Sequence, residues 1–262
     1  MAEKSYRGIL ADLDGTINRG KLLIPEADRV YRELSAKGIR WVFVSNSATR
    51  LASDIADRIR RLGMTVAASQ VVNSAAVLVR TLKQQYRGVR IMVVGEPRLA
   101  EGVAAAGATV TDDPSEIQVV VAAMDRGFTY EKLARAHKAI QKGAQFWATN
   151  LDATFPSADG FLPGAGSVIA SIATAAGRPP DRVFGKPSPD MAFLALEVLD
   201  LTPEDCLVVG DRMETDILFA HNAGMDSALV LTGATRRAQI ASFPYAPDYV
   251  FDSIADIVSL FD

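Results

Sequence analysis

The chain has 262 residues, of which 49% are apolar and 23% charged, with a net charge of −3. That length and apolar share allow one large domain, or a core with a smaller second unit. The slight acidic balance, with Lys and Arg spread along the chain, argues against nucleic acid or an anionic membrane as the partner, and no stretch approaches the roughly 18 apolar residues of a membrane-spanning helix.

Residues Met1 to Arg7 are too few and too mixed for a signal peptide, which sets the expectation of an unexported, cytoplasmic protein. Gly8 to Ala11 reads as a strand running straight into Asp12. Residues 26–37 read as helical, Arg40 to Val44 as a strand ending at Ser45, and residues 50–62 as an amphipathic helix stopped by Gly63. Arg58, Arg60 and Arg61 are spaced around that helix, as in a solvated face.

Residues 80–180 alternate again, with strands at Val89–Val94, Val119–Ala123 and Gln145–Ala148 and helices at 97–106, 129–142 and 166–176. Arg182 to Phe184 reads as a strand leading to Gly185-Lys186-Pro187. The helix expected from Ser188 to Leu199 has Pro189 in its first turn, where a missing N–H costs nothing. Cys206 to Val209 reads as a strand, Met213 to Ala223 as a helix closed by Gly224, and Ser227 to Leu231 as another strand. The single cysteine, Cys206, excludes an intrachain disulfide and reads as a buried thiol.

Apolar strands alternating with helices predict an α/β fold, a doubly wound parallel sheet of Rossmann-like type. The second alternation predicts a smaller α/β unit inserted into it. The expected core is 1–79 with 181–262, and the expected insert is 80–180, bounded by the turn Gly177-Arg178-Pro179-Pro180.

Four polar clusters follow predicted strands: Asp12-Leu13-Asp14-Gly15-Thr16, Ser45-Asn46, Lys186, and Gly210-Asp211 with Asp216. Ligands of an open parallel sheet bind beyond the carboxyl ends of its strands, so four strands would bring these groups to one crevice. Asp12, Asp14 and Asp211 together would repel one another unless a cation neutralises them. His137 and His221 lie too far apart for a zinc cluster, so oxygen ligands and a hard ion, Mg²⁺ or Mn²⁺, are expected. The pattern is not an EF-hand loop, because Thr16 and Ile17 stand where a fifth-position ligand and a sixth-position glycine belong. Such an ion with Lys186 suits a dianionic phosphate. Asp12 can attack phosphorus to give an aspartyl-phosphate, while Asp14 protonates the leaving oxygen and then activates water. Gly15 lets the backbone turn, and Thr16 is expected to tie that turn with a side-chain hydrogen bond.

The set DxDGT, strand-end Ser, Lys and late GDxxxxD resembles the haloacid dehalogenase superfamily. Val44-Ser45-Asn46-Ser47, Asp125 to Tyr130, Ala148-Thr149-Asn150, Pro163 to Gly166 and Gly185-Lys186-Pro187 narrow the likeness to the NagD-like phosphatases, which carry a C2-type α/β cap. The resemblance covers essentially the whole chain. It implies that Asp12 is nucleophile and metal ligand, and that Asp14 is acid/base and gives the metal its backbone oxygen. Asp211 is then the third Mg²⁺ ligand, Asp216 supports the metal shell, and Ser45 and Lys186 bind the phosphoryl group with Asn46 beside them. Many relatives read Asn-Asn where this chain has Asn46-Ser47, a departure that bears only on a side-chain contact from residue 47.

The cap is expected to cover the leaving group. Its loop after Ala148, with Asn150, Asp152 and Phe155, is the expected substrate contact, as in similar enzymes. No Arg or Lys lies between Gln145 and Gly160, which favours a neutral leaving group such as a sugar. The expected partner is thus a small phosphorylated metabolite, and the cap offers a surface for a homodimer. A receiver-like phospho-acceptor domain without turnover is the rival reading, against which Asp14, the length and the insertion all count.

Overall fold

The computed structural model describes residues 5–157 and 160–261. The first strand, Gly8–Asp12, lies inside a six-stranded sheet whose order is Tyr249–Phe251, Asp226–Val230, Cys206–Gly210, Gly8–Asp12, Arg40–Ser45, Val71–Asn73. The first five of these pair parallel. From Gly8–Asp12 the chain winds outward in both directions, so the strand order reverses between Gly8–Asp12 and Cys206–Gly210. That reversal is the position at which doubly wound sheets bind their ligands. The strands are apolar throughout because both faces are covered. Ile9, Leu10, Val42, Phe43 and Val209 are fully buried, and each such side chain contributes roughly 1.5–3 kcal/mol.

Helix Ala27–Ala36 buries Ala27, Val30 and Leu34, and helix Ala52–Arg61 buries Ile55, Ala56 and Ile59. Both spacings are those of a single apolar stripe turned to a core. Helix Asp190–Leu199 begins one residue after Pro189, which occupies the cap position rather than the first turn.

The chain divides into two compact units, one of residues 1–45, 52–72 and 186–262, the other of 46–51 and 73–185. The second has its own parallel sheet, in the order Arg182–Val183, Gln145–Ala148, Val119–Ala122, Arg90–Val94, Thr109–Val110. Helices Ser74–Gln85, Pro97–Ala105, Tyr130–Gln141 and Ala165–Ala176 belong to it, as does the hairpin Thr154–Ser157 with Gly160–Pro163.

The division therefore differs from the expected 80 and 180. Residue 79 is inside helix Ser74–Gln85, which Asn73 caps by accepting the Ala76 N–H at 3.0 Å, so the helix enters the insert whole. At the other end, Arg182–Val183 is a strand of the insert, not of the core. Val183 pairs with Ala148, Phe184 packs edge-on against Trp147, and the Asp181 carboxylate accepts the Phe146 N–H at 2.7 Å. Lys186 accordingly does not follow a core strand. Three core strands and one returning loop carry the four clusters.

The helix expected over Met213–Ala223 is also modified. Its first turn, Met213–Ile217, is a wide π turn in which the Asp216 and Ile217 N–H groups both donate to the Arg212 carbonyl, and regular α-helix begins only at Leu218. Such turns recur at functional sites. No helix among the described residues is long and apolar enough to cross a membrane.

Candidate active site

Register aligns the strand ends. Asp12 pairs with Val44, so Ser45 comes one residue beyond it, and Ala11 pairs with Val209, so Asp211 follows at the same end. Asp12, Asp211 and Asp216 each place a carboxylate oxygen within 4.8 Å of the others. Lys186, 3% exposed, lies among them, its Nζ 2.5 Å from Asp12 Oδ1 and 2.6 Å from Asp216 Oδ1.

The two outer carboxylates are held by backbone. Asp216 Oδ2 accepts the N–H groups of Asp211 and Arg212 at 3.2 and 3.0 Å, which is what the wide turn makes reachable. Asp211 Oδ2 accepts the Ala234 N–H at 2.6 Å, and its carbonyl accepts the Thr235 N–H at 3.1 Å. Glycines make room for both. A Cβ on Gly210 would stand 2.2 Å from the Asp216 Cβ, and one on Gly233 would stand 1.9 Å from Asp211 Oδ2.

Three carboxylates against one ammonium leave the cluster short of positive charge. Burial pushes the Asp12 carboxyl well above its usual range; Lys186 opposes this, while Asp216 and Asp211 reinforce it. Burial, then the Asp216 charge, pushes Asp211 up to about 7. Burial alone would depress Lys186, but Asp12 and Asp216 overturn this and hold it above its ordinary value. A site this poor in positive charge and made of oxygen donors fits a hard divalent cation. Both Asp216 oxygens are taken by Lys186 and backbone N–H groups, whereas Asp12 Oδ2 and Asp211 Oδ1 have no hydrogen-bond partner among the described residues.

Asp14 lies outside that cluster. Its Oδ1 accepts Asn18 Nδ2 at 2.7 Å and Arg58 Nη1 at 3.1 Å, and its side chain is 44% exposed. The loop around it turns on Gly15, whose φ is +107° and whose added Cβ would come 2.5 Å from Asp211 Oδ2. The Gly15 carbonyl is held by Thr232 Oγ1 at 2.6 Å. The hydrogen bond expected from Thr16 is not formed: its hydroxyl is buried with no partner among the described residues, and Asn18 ties the loop instead.

The insert residues divide differently from expectation. Asn46 belongs to the second unit and its amide donates to both Asp152 oxygens at 3.2 Å. Its carbonyl accepts Asn150 Nδ2 and Ser74 Oγ, both at 2.8 Å. Asn150 is 5% exposed, so its amide is committed to backbone. Phe155 is half-buried, paired with Leu162 in the hairpin.

Asn18 and the Thr232 to Thr235 segment carry no motif in the sequence. A glycine just beyond the Asp226–Val230 strand, at Gly233, was the available signal for the last of these. Arg58, expected on a solvated face, is instead an Asp14 partner with a 21%-exposed side chain.

The family model described as haloacid dehalogenase-like hydrolase matches residues 9–109, and one described as HAD-hydrolase-like matches 183–257. The sugar-phosphatase AraL of Bacillus subtilis is 35% identical, over 98% of this chain and 93% of that protein. A glycerol phosphate phosphatase from Mycobacterium tuberculosis, solved in complex with magnesium, superposes with a TM-score of 0.87 at 34% identity, covering 95% of this chain and 76% of that one. NagD from E. coli superposes with a TM-score of 0.88 at 30% identity, covering 97% and 98%.

Proposed function

Since the chain belongs to the haloacid dehalogenase-like hydrolases, as a NagD-like phosphoric monoester hydrolase, we propose that it dephosphorylates small phosphorylated metabolites in the cytoplasm through an aspartyl-phosphate on Asp12. The observation that carries this reading is the Lys186 ammonium held between Asp12 and Asp216 beside Asp211. It puts one nucleophilic carboxylate beside a fixed positive charge, which is what an incoming phosphoryl dianion requires.

In the first half-reaction an Asp12 oxygen forms a bond to phosphorus while the ester P–O bond breaks. The electron pair goes to the leaving oxygen, which takes a proton from Asp14. In the second, the oxygen of a water forms a bond to phosphorus as Asp14 accepts its proton, the Asp12–phosphorus bond breaks with its electron pair returning to the Asp12 carboxylate, and inorganic phosphate departs. Lys186 and the Ser45 hydroxyl hold phosphoryl oxygens throughout, with Asn46 beside them. Asp216 does not react; it keeps Lys186 in place and orients Asp211 through the two N–H groups it binds. Asp12 and Asp211, with the Asp14 carbonyl, would hold Mg²⁺, which supplies charge neutralisation for the phosphoryl group when bound.

A sugar phosphate or similar ester as substrate is supported by the names of the relatives and by the lack of Arg and Lys from Gln145 to Gly160. We assign selection of the leaving group to the loop after Ala148, where Phe155 meets the substrate while Asn150 and Asp152 hold the loop in place through Asn46. The receiver-like alternative gives way to a hydrolase. The reading is tested by Mg²⁺-dependent release of phosphate from p-nitrophenyl phosphate. Asp12→Asn should abolish release while leaving the fold intact; full activity in that variant would defeat it.

A further inference from the structure

Helix Ala52–Arg61 carries three arginines, and they are not alike. Arg60 makes a surface pair with Asp57 at 2.5 Å, both side chains half exposed, and Arg61 is exposed. Arg58 is turned inward. Its Nη1 reaches Asp14 Oδ1, and its Nε is buried with no hydrogen-bond partner among the described residues. A desolvated N–H without an acceptor works against stability, so packing does not account for a guanidinium held there.

The target of that guanidinium is specific. Arg58 Nη1 and Asn18 Nδ2 both donate to Oδ1 of Asp14, and Oδ2 has no partner among the described residues. Two donors on one oxygen fix the carboxyl rotamer. They also leave the other oxygen as the one that can carry a proton, because an O–H on Oδ1 would face two N–H donors. A neutral Asn18 and a rigidly planar Arg58 do this from opposite elements: Asn18 from the loop after Asp14, Arg58 from a helix anchored by Ile55, Ala56 and Ile59.

We propose that Arg58 is a positioning residue for the phosphatase reaction: it holds Oδ1 of Asp14, with Asn18, so that Oδ2 is the oxygen presented to the leaving group. The inference rests on the reading of Asp14 as acid/base. The affected step is proton transfer from Asp14 to the ester oxygen as the P–O bond breaks. Its importance grows as the leaving group becomes more basic. p-Nitrophenolate departs readily without a proton, whereas phenolate, of nearly the same shape, depends on one.

The test compares kcat/KM for p-nitrophenyl phosphate and phenyl phosphate, since that ratio reports the steps through ester cleavage. Arg58→Met keeps the apolar stem and removes the charge. It should lower kcat/KM for phenyl phosphate about tenfold more than for p-nitrophenyl phosphate, a modest share of what a general acid supplies. Arg58→Lys should recover part of the selective loss, and Arg60→Met should leave both substrates unchanged. Equal losses on the two esters, or none, would overturn the inference, and a lysine variant as selective as the methionine one would also count against it. Asp14→Asn is measured alongside. If it shows the selective loss and Arg58→Met does not, Arg58 alone is misassigned. If Asp14→Asn hydrolyses both esters at the wild-type rate, the acid/base reading fails and the inference with it.

Discussion

Lys186 Nζ and Asp12 Oδ1 are 2.5 Å apart in a site where both groups are withdrawn from water. The same ammonium also meets Asp216, so a single charge serves two carboxylates, with a third, Asp211, close by. Replacing Lys186 by Met removes the only protein cation hydrogen-bonded to Asp12 and Asp216 among the described residues. Breaking a buried pair from one side costs about 3–5 kcal/mol, so Lys186→Met should unfold at distinctly lower urea concentration in metal-free buffer. Added Mg²⁺ should recover part of the loss by restoring positive charge. Equal stability of wild type and variant without metal would contradict this electrostatic picture.

Gly233 is required for space, not for its backbone angle. Its Cβ would stand 1.9 Å from Asp211 Oδ2, so Gly233→Ala should displace that carboxylate and break its hydrogen bond from Ala234. The expected outcome is a Mg²⁺ requirement raised by about tenfold or more, in line with the loss of a ligand's supporting contacts. It is read from phosphatase activity across a Mg²⁺ titration. An unchanged titration would place the metal away from Asp211.

The loop after Ala148 contains residues with different tasks. Asn150→Ala removes a hydrogen bond to the Asn46 carbonyl, worth about 1 kcal/mol of stability. It should lower kcat/KM for every substrate of a metabolite-phosphate panel by a similar factor. Phe155→Ala should instead reorder the panel. If Asn150→Ala reorders it and Phe155→Ala does not, the roles are reversed.

Cys206 has no part in the chemistry. Burial, with the Asp205 charge adding to it, pushes its thiol up to about 12, so it stays protonated and unreactive at neutral pH. A disulfide reagent at pH 8 should leave the native protein unmodified and label it only on unfolding. Rapid labelling of the native protein would show that the strand Cys206–Gly210 opens.

Much of the core was legible because buried parallel strands announce themselves as apolar runs. Gly8 to Asp12 and Cys206 to Gly210 end where the run meets a carboxylate. Arg182–Val183 misled because a two-residue apolar run carries no sign of which sheet it joins; only Trp147, Phe184 and Asp181 decide that. Asp216 was visible as part of GDxxxxD, but its reach to Lys186 and to two N–H groups depends on a wide turn that helical periodicity does not encode. Arg58 was hidden for a related reason. On a helix with Arg60 and Arg61 nearby, sequence shows a basic face, and only the path of the chain shows that one member turns toward Asp14.

The central claim is that the phosphoryl group passes through Asp12. It is tested most directly by acid-quenching the enzyme during turnover of p-nitrophenyl phosphate with Mg²⁺ and mapping the phosphoryl group by mass spectrometry. The expected result is a phosphorylated peptide carrying Asp12, absent from Asp12→Asn and lost when the ester is allowed to run out before quenching. Phosphate on another residue, or wild-type turnover by Asp12→Asn, would contradict it.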